Sequence, residues 1–151
     1  LSPFNAWLIT RGLTTLPIRM RQHSLSALKL AKYLESSPAV RFIWYPGLES
    51  HPQHQLAKEY MNGEYSGMIS FDINGDDETH IKFLNSLELV THAVSLGDIE
   101  SLIVYYDRKS DKLPHYPEIY RSGFFRLSVG LEDGDDLIND FEQAFKKCGL
   151  I

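Results

Sequence analysis

Nine consecutive residues, Phe125-Arg126-Leu127-Ser128-Val129-Gly130-Leu131-Glu132-Asp133, carry the clearest offer of chemistry in this chain. Phe125, Leu127 and Val129 alternate with Arg126 and Ser128, the two-residue period of a half-buried strand. One face of such a strand is core, and the other presents the Arg126 guanidinium from a rigid element. A planar guanidinium held in that way suits a two-toothed grip on a carboxylate; the alternative is a surface strand whose Arg126 lies in solvent. Ser95, in Val94-Ser95-Leu96-Gly97, has no neighbouring base in sequence and reads as a loop serine that donates a hydrogen bond, not as a nucleophile. His51 and His54 stand three apart on one helix face, but no carboxylate or cysteine completes a metal-binding set, so no metal site is expected. Asp76-Asp77-Glu78 and the group Glu132, Asp133, Asp135 and Asp136 read as helix starts. No GxSxG, glycine-rich phosphate loop or zinc spacing occurs.

The elements that must position Arg126 and Ser95 follow from the hydrophobic pattern. Ser2-Pro3 is an N-cap with proline at the first helical position. Phe4, Trp7, Leu8, Gly12, Leu16 and Met20 recur at helical spacing, and Pro17 should kink or restart that helix. Its apolar start wants a partner, either more of the protein or another subunit. The helix continues from His23 to Ser37 and buries Ala27, Leu28, Ala31 and Leu34. Val40 to Tyr45 is apolar on both faces, which predicts a central strand. Ser50-His51-Pro52-Gln53 reads as a capping box opening a helix to about Met61, with Leu56, Ala57 and Tyr60 inward.

Further strands are expected over Gly67 to Ile73, Val90 to Val94, Ser101 to Tyr106 and the Arg126 segment. Helices are expected from Asp76-Asp77 to about Ser86, with Ile81, Phe83 and Leu84 inward, and from Asp135 to Cys148, ended by Gly149. The polar stretch Asp107 to Tyr120 contains Pro114 and Pro117 and reads as irregular. The segment 90–106 has no room for a crossover helix, which predicts antiparallel pairing there. The fold class is therefore α+β: a two-layer sandwich with a four- to five-stranded, largely antiparallel sheet and helices mostly on one face.

Composition bounds the function. The 151 residues suffice for one domain with its own core. A net charge of -5 with no basic stripe argues against nucleic acid and anionic membrane as partners. No apolar run approaches the roughly 20 residues of a membrane span, and no signal peptide is visible. The single cysteine, Cys148, admits no intrachain disulfide and points to a cytoplasmic protein. The first residue is Leu1 and not methionine, so the chain is expected to be a piece of a longer protein.

Several separated stretches together resemble the Cys/Met metabolism family of pyridoxal-phosphate (PLP) enzymes. They are Ser2-Pro3-Phe4-Asn5-Ala6-Trp7-Leu8, Arg11-Gly12-Leu13-Thr14-Thr15-Leu16 with Arg19-Met20, Tyr45-Pro46-Gly47-Leu48 with Ser50-His51-Pro52, Ser66-Gly67-Met68-Ile69-Ser70-Phe71, Ala93-Val94-Ser95-Leu96-Gly97 with Glu100-Ser101-Leu102-Ile103, and Arg126 to Glu132. The family includes cystathionine γ-synthase, cystathionine lyases and methionine γ-lyase. The resemblance runs in order along nearly the whole chain and implies the small C-terminal domain of a fold-type I PLP enzyme. Residues 1–22 would be the end of the cofactor domain or a linking helix, and residues 23–151 the small domain.

The resemblance implies roles as well. Arg126 would bind the α-carboxylate of an amino acid substrate, with Val94, Ser95 and Leu96 lining the same pocket. PLP would be held by an N-terminal domain that is absent here. None of Lys29, Lys32, Lys58, Lys82, Lys109, Lys112, Lys146 or Lys147 sits in the family's serine-x-threonine-lysine context. No catalytic or cofactor-binding residue is therefore expected in this chain, which alone should be inactive. Val94 replaces the acidic residue common in cystathionine-handling members, which resembles methionine γ-lyase and its apolar thioether substrate. The alternatives are a cystathionine γ-synthase or lyase, and a stand-alone domain that oligomerises or binds without catalysis. A homo-oligomer, tetrameric in the family, is implied. After Ile103 the family's histidine-proline-alanine-serine-methionine-threonine-histidine is replaced by Val104-Tyr105-Tyr106-Asp107-Arg108-Lys109-Ser110-Asp111, a departure beside the expected pocket.

Overall fold

The computed structural model describes residues 1–111 and 113–151; Lys112 lies outside the described residues. Helix α1 spans Pro3–Thr14, with the Ser2 side chain accepting the Asn5 N–H at its N-terminus. The chain breaks at Thr15 and resumes as α2, Leu16–Ser36, with Pro17 in its first turn. Proline lacks an N–H, so a first turn is where it costs least. α1 buries none of its residues, and Phe4, Trp7, Leu8 and Leu13 are exposed.

Five strands follow: β1 (Val40–Trp44), β2 (Met68–Ile73), β3 (Thr91–His92), β4 (Leu102–Tyr106) and β5 (Phe124–Ser128). Between them lie α3 (His54–Tyr60), α4 (Asp77–Ser86) and two short 3-10 turns, Leu113–His115 and Glu118–Tyr120; α5 (Gly134–Cys148) closes the chain. The sheet order is β1-β2-β5-β4-β3, so β5, which carries Arg126, is the central strand. Three of the pairings are antiparallel, in keeping with a two-layer α+β sandwich.

Phe125 and Leu127 turn to the helix layer, where Phe71 stacks on Phe125 at 5.1 Å and Phe83 stacks on Phe145 at 5.1 Å. Each fully buried phenylalanine contributes roughly 1.5–3 kcal/mol of transfer free energy. On the opposite face, Phe124 is covered by Tyr106 (4.9 Å), Tyr116 (5.3 Å) and Tyr120 (4.6 Å). The expected irregular stretch thus folds as an aromatic flap over one end of that face.

Four expectations are corrected. β1 is an edge strand, not a central one: its inner face packs on α2, and Phe42 on the other face meets Tyr120 at 5.7 Å, so both faces are apolar without a second neighbouring strand. The β3/β4 pair is parallel, because β3 is only two residues long and an irregular loop carries the chain back beside it without a helix. Ser50 is not a cap; its hydroxyl bonds Glu35, and α3 begins at His54 without a side-chain cap. Leu56 and Tyr60 point outward (52% and 77% exposed), as does Ile81 of α4, while Leu30 of α2 is fully buried and Leu28 only partly so.

Polar side chains within the helix layer fix the ends of the sheet. His23 Nδ1 lies 2.7 Å from the Val129 carbonyl, and the Ser26 hydroxyl donates to the Glu132 carbonyl at 2.8 Å, tying α2 to the end of β5. Buried Asp140 of α5 accepts the N–H groups of Glu88, Leu89 and Val90 at 2.8, 3.0 and 3.2 Å and so places the entry to β3. Among the described residues no helix is long and apolar enough to cross a membrane.

Candidate active site

Arg126 lies on the face of β5 away from the helices, paired with Ser70 of β2 on one side and Val104 of β4 on the other. Its Nη2 donates to the carbonyls of Val94 (2.6 Å) and Ser95 (3.1 Å). Its Nε–H is buried and meets no acceptor among the described residues. A buried, unmatched donor costs about 1–3 kcal/mol unless something arrives to accept it. The guanidinium opens into a cavity of about 430 Å³ lined by Val94, Val104, Tyr105, Tyr106, Asp107, Ser110 and Arg126. Positive charge, a spare donor and a cavity together suit a carboxylate.

The loop that meets Arg126 is held by the same strand. Alternation along β5 and its continuation sends Arg126, Ser128, Gly130 and Glu132 in turn towards the 94–101 loop. Ser128 Oγ accepts the Gly97 N–H at 2.9 Å. Gly130 lets the loop approach closely: a Cβ there would come within 2.6 Å of the Glu100 carbonyl carbon. Glu132 accepts the Ser101 N–H at 2.6 Å and the Ser101 hydroxyl at 2.8 Å, and Ser101 Oγ accepts the Gly130 N–H at 2.8 Å. The Leu131 N–H donates to the Ile99 carbonyl at 2.8 Å. Gly97 turns the loop with a φ of 75°, in the left-handed region that glycine occupies without strain.

Of the residues singled out in sequence, the structure brings Arg126, Val94 and Ser95 together. It is the carbonyl of Ser95, not its hydroxyl, that meets the guanidinium. Val94 is 80% exposed at the cavity mouth, and Leu96 follows on the loop with its side chain exposed. His51 and His54 each use Nδ1 locally, on the Gln53 N–H and on the Pro46 carbonyl. Sequence reasoning passed over Ser128, Glu132 and Ser101 as parts of the site. Their signal was present: they occupy every second position from Arg126, or the start of β4.

A larger cavity of about 540 Å³ lies between Pro46 and α3, but among the described residues no lysine, arginine or carboxylate lines it. A second polar cluster lies apart from the site. His80 is fully buried, with Nε2 2.7 Å from Asp72 Oδ1 and Nδ1 on the Asp76 carbonyl; Arg41 pairs with the other oxygen of Asp72. Burial pulls the His80 pKa down, but the bonds to Asp72 and the Asp76 carbonyl outweigh it, and the net shift is upward.

A family model described as Cys/Met metabolism PLP-dependent enzyme matches residues 1–146. A canavanine γ-lyase of Pseudomonas canavaninivorans is 46% identical over 147 residues, covering 95% of this chain and 37% of that protein. An L-methionine γ-lyase of Treponema denticola is 45% identical over 152 residues, covering 97% of this chain and 37% of that protein. The crystal structure of a Campylobacter jejuni protein assigned as an O-acetylhomoserine (thiol)-lyase, which carries a pyridoxyl-lysine phosphate, superposes with a TM-score of 0.80 at 38% identity, covering 97% of this chain and 33% of that one. The chain thus spans little more than a third of the length of these relatives.

Proposed function

This chain belongs to the family of Cys/Met metabolism PLP-dependent enzymes, and from that premise we propose that it is the substrate-facing C-terminal part of a lyase that eliminates the γ-substituent of an amino acid, in the manner of a methionine γ-lyase. One observation carries the reading: Arg126 stands on the central strand beside a cavity, two carbonyls hold its Nη2, and its buried Nε–H has no acceptor among the described residues. In this reading residues 1–22 are the end of the cofactor domain and residues 23–151 the small domain. The exposed apolar residues of α1 are covered by the rest of the enzyme or by another subunit of a cytoplasmic homo-oligomer.

The residues present fit the substrate side of such a reaction. The unmatched donor of Arg126 fits an α-carboxylate, while the lysine that would hold PLP lies in no serine-x-threonine-lysine context of this chain. PLP, when bound by the rest of the enzyme, supplies the electron sink for negative charge at the substrate carbons. This chain contributes orientation. A charge-assisted bond from the unmatched Nε–H to the carboxylate, beside the fixed positive charge, limits rotation of the amino acid and favours one direction of its Cα–H bond before the proton is moved. The Val94 and Ser95 carbonyls keep the guanidinium from swinging out. Val94, apolar where an acid would meet a second amino acid head, disfavours cystathionine by leaving that head unpaired.

The test is turnover by the full-length protein. Methionine should yield a thiol, ammonia and a 2-oxo acid faster than cystathionine is cleaved. Cleavage of cystathionine in preference to methionine would replace the methionine-like reading with the cystathionine one, and absence of any elimination would remove both.

A further inference from the structure

Two Asn-Gly pairs occur in the chain, Asn62-Gly63 and Asn74-Gly75. In such a pair the glycine nitrogen can attack the side-chain amide of the asparagine before it, because glycine has no side chain to hinder the approach. Asparagine is among the thermolabile residues of proteins. Both pairs are exposed, so access to water does not separate them. What separates them is how each is held.

Asn74 is tied at both ends. Its Nδ2 donates to the Pro38 carbonyl at 2.7 Å, and its N–H donates to the Ala39 carbonyl at 2.8 Å. The Gly75 carbonyl accepts Arg108 Nη2 at 3.0 Å, and a Cβ at Gly75 would lie 2.8 Å from the Thr79 side chain. The Asn74 amide therefore turns onto the Gly75 nitrogen only after its bond to Pro38 has opened.

Asn62 has no such tie. Neither its side chain nor the Gly63 N–H bonds any group among the described residues. The pair forms the middle of the turn that closes α3, where the Glu64 N–H donates to the Met61 carbonyl at 2.9 Å. Asn62 has a φ of 51° and Gly63 a φ of 77°. A positive φ is sparsely populated by residues with a Cβ, asparagine tolerating it better than most, so this turn loses little on opening. A Cβ placed on Gly63 would meet nothing within 4 Å, which leaves room for the movement.

We infer that Asn62 is a site of hydrolytic modification, to which the fold leaves it open while protecting Asn74. The Gly63 nitrogen bonds Asn62 Cγ and loses its proton, and ammonia leaves. Water then opens the cyclic imide at one carbonyl or the other, giving aspartate or isoaspartate. Water is the only co-reactant. Either product adds a negative charge close to Glu64, the partner of Arg21 on α2 at 3.2 Å. Isoaspartate also adds a methylene to the backbone ahead of Tyr65, whose N–H donates to Ser24 Oγ at 2.8 Å. The modification thus falls on the joint between α2 and the entry to β2, and it stands apart from the reading of Arg126.

The experiment incubates the full-length protein in mildly alkaline buffer, folded and in denaturant, and follows both asparagines by peptide mass spectrometry. The tryptic peptide 59–82 carries both, so its fragment ions compare them within one molecule. With one hydrogen bond to open at Asn74 and none at Asn62, Asn62 should convert about tenfold faster in the folded protein, with isoaspartate among the products. In denaturant the two rates should agree within about twofold. A folded ratio below about threefold, no conversion at either position included, overturns the inference. A ratio that denaturant leaves undiminished overturns it as well, because neighbouring residues and not the fold would then set the rates.

Discussion

Glu132→Ala tests how the loop that meets Arg126 is held. The parent carboxylate satisfies both the N–H and the hydroxyl of Ser101, which is fully buried, at 2.6 and 2.8 Å. Truncation leaves two buried donors without acceptors, at about 1–3 kcal/mol each. Glu132 itself is only partly buried, so water recovers some of this, and about 3 kcal/mol of local stability should be lost. At about 1.4 kcal/mol per tenfold change, that is roughly a hundredfold in a local opening constant. The assay is amide hydrogen exchange in the full-length protein, read at Ser101, at Leu131, whose N–H bonds the Ile99 carbonyl, and at Gly97, whose N–H bonds Ser128. Glu132→Gln keeps one acceptor oxygen and should exchange only about tenfold faster. With the loop loosened, the Val94 and Ser95 carbonyls drift from Arg126, so KM for the amino acid should rise with exchange across the two variants. Exchange within about threefold of the parent in Glu132→Ala would refute the reasoning.

His80 gives a pH dependence with a definite sign. Its pKa is raised above the ordinary 6.5, so its charged form contributes stability that is fully present below about pH 6.5 and is lost as pH rises through the higher folded value. The stability advantage of the wild type over His80→Gln, from hydrogen exchange in β2 and β5, should shrink as pH rises from 6 towards 9; a constant or growing advantage contradicts the pairing with Asp72. Gly130→Ala forces a methyl against the Glu100 backbone and should cost about 1–3 kcal/mol while raising KM more than it lowers kcat. Parent-like KM and stability there would mean that the loop yields freely.

What was legible in the sequence followed from strong periods and local chemistry. Alternation at Phe125, Leu127 and Val129 marked β5 and its inward face, and the spacing of Leu137, Phe141, Ala144 and Phe145 marked α5, closed by Gly149 at a φ of 72°. What was lost depended on partners distant in sequence. Apolar residues on both faces of β1 looked like a central strand because pattern does not distinguish a neighbouring strand from α2 and Tyr120. Leu56 and Tyr60 fit an inward stripe at helical spacing, yet α3 turns that stripe to the surface. Parallel pairing of β3 with β4 was hidden because two residues leave no periodic signal and the loop supplies the return that a helix usually makes.

At the site, Arg126 was recognisable from its strand and from family resemblance. The Ser128–Gly130–Glu132 latch was written in the same alternation, but its partner Ser101 lies some thirty residues earlier, and only the fold joins them. Asp107 read as part of a polar, irregular stretch, and its place in the Arg126 cavity appears only once β4 and β5 are paired.

The account turns on whether Arg126 holds the acid group of an amino acid, and the most direct measurement compares two ligands that differ only there. Methionine and its decarboxylated amine are titrated against the wild-type full-length protein and Arg126→Lys. Loss of the Nε–H bond to the carboxylate should weaken methionine by about tenfold to a hundredfold and leave the amine within about twofold. Equal weakening of both ligands, or of neither, would contradict the assignment.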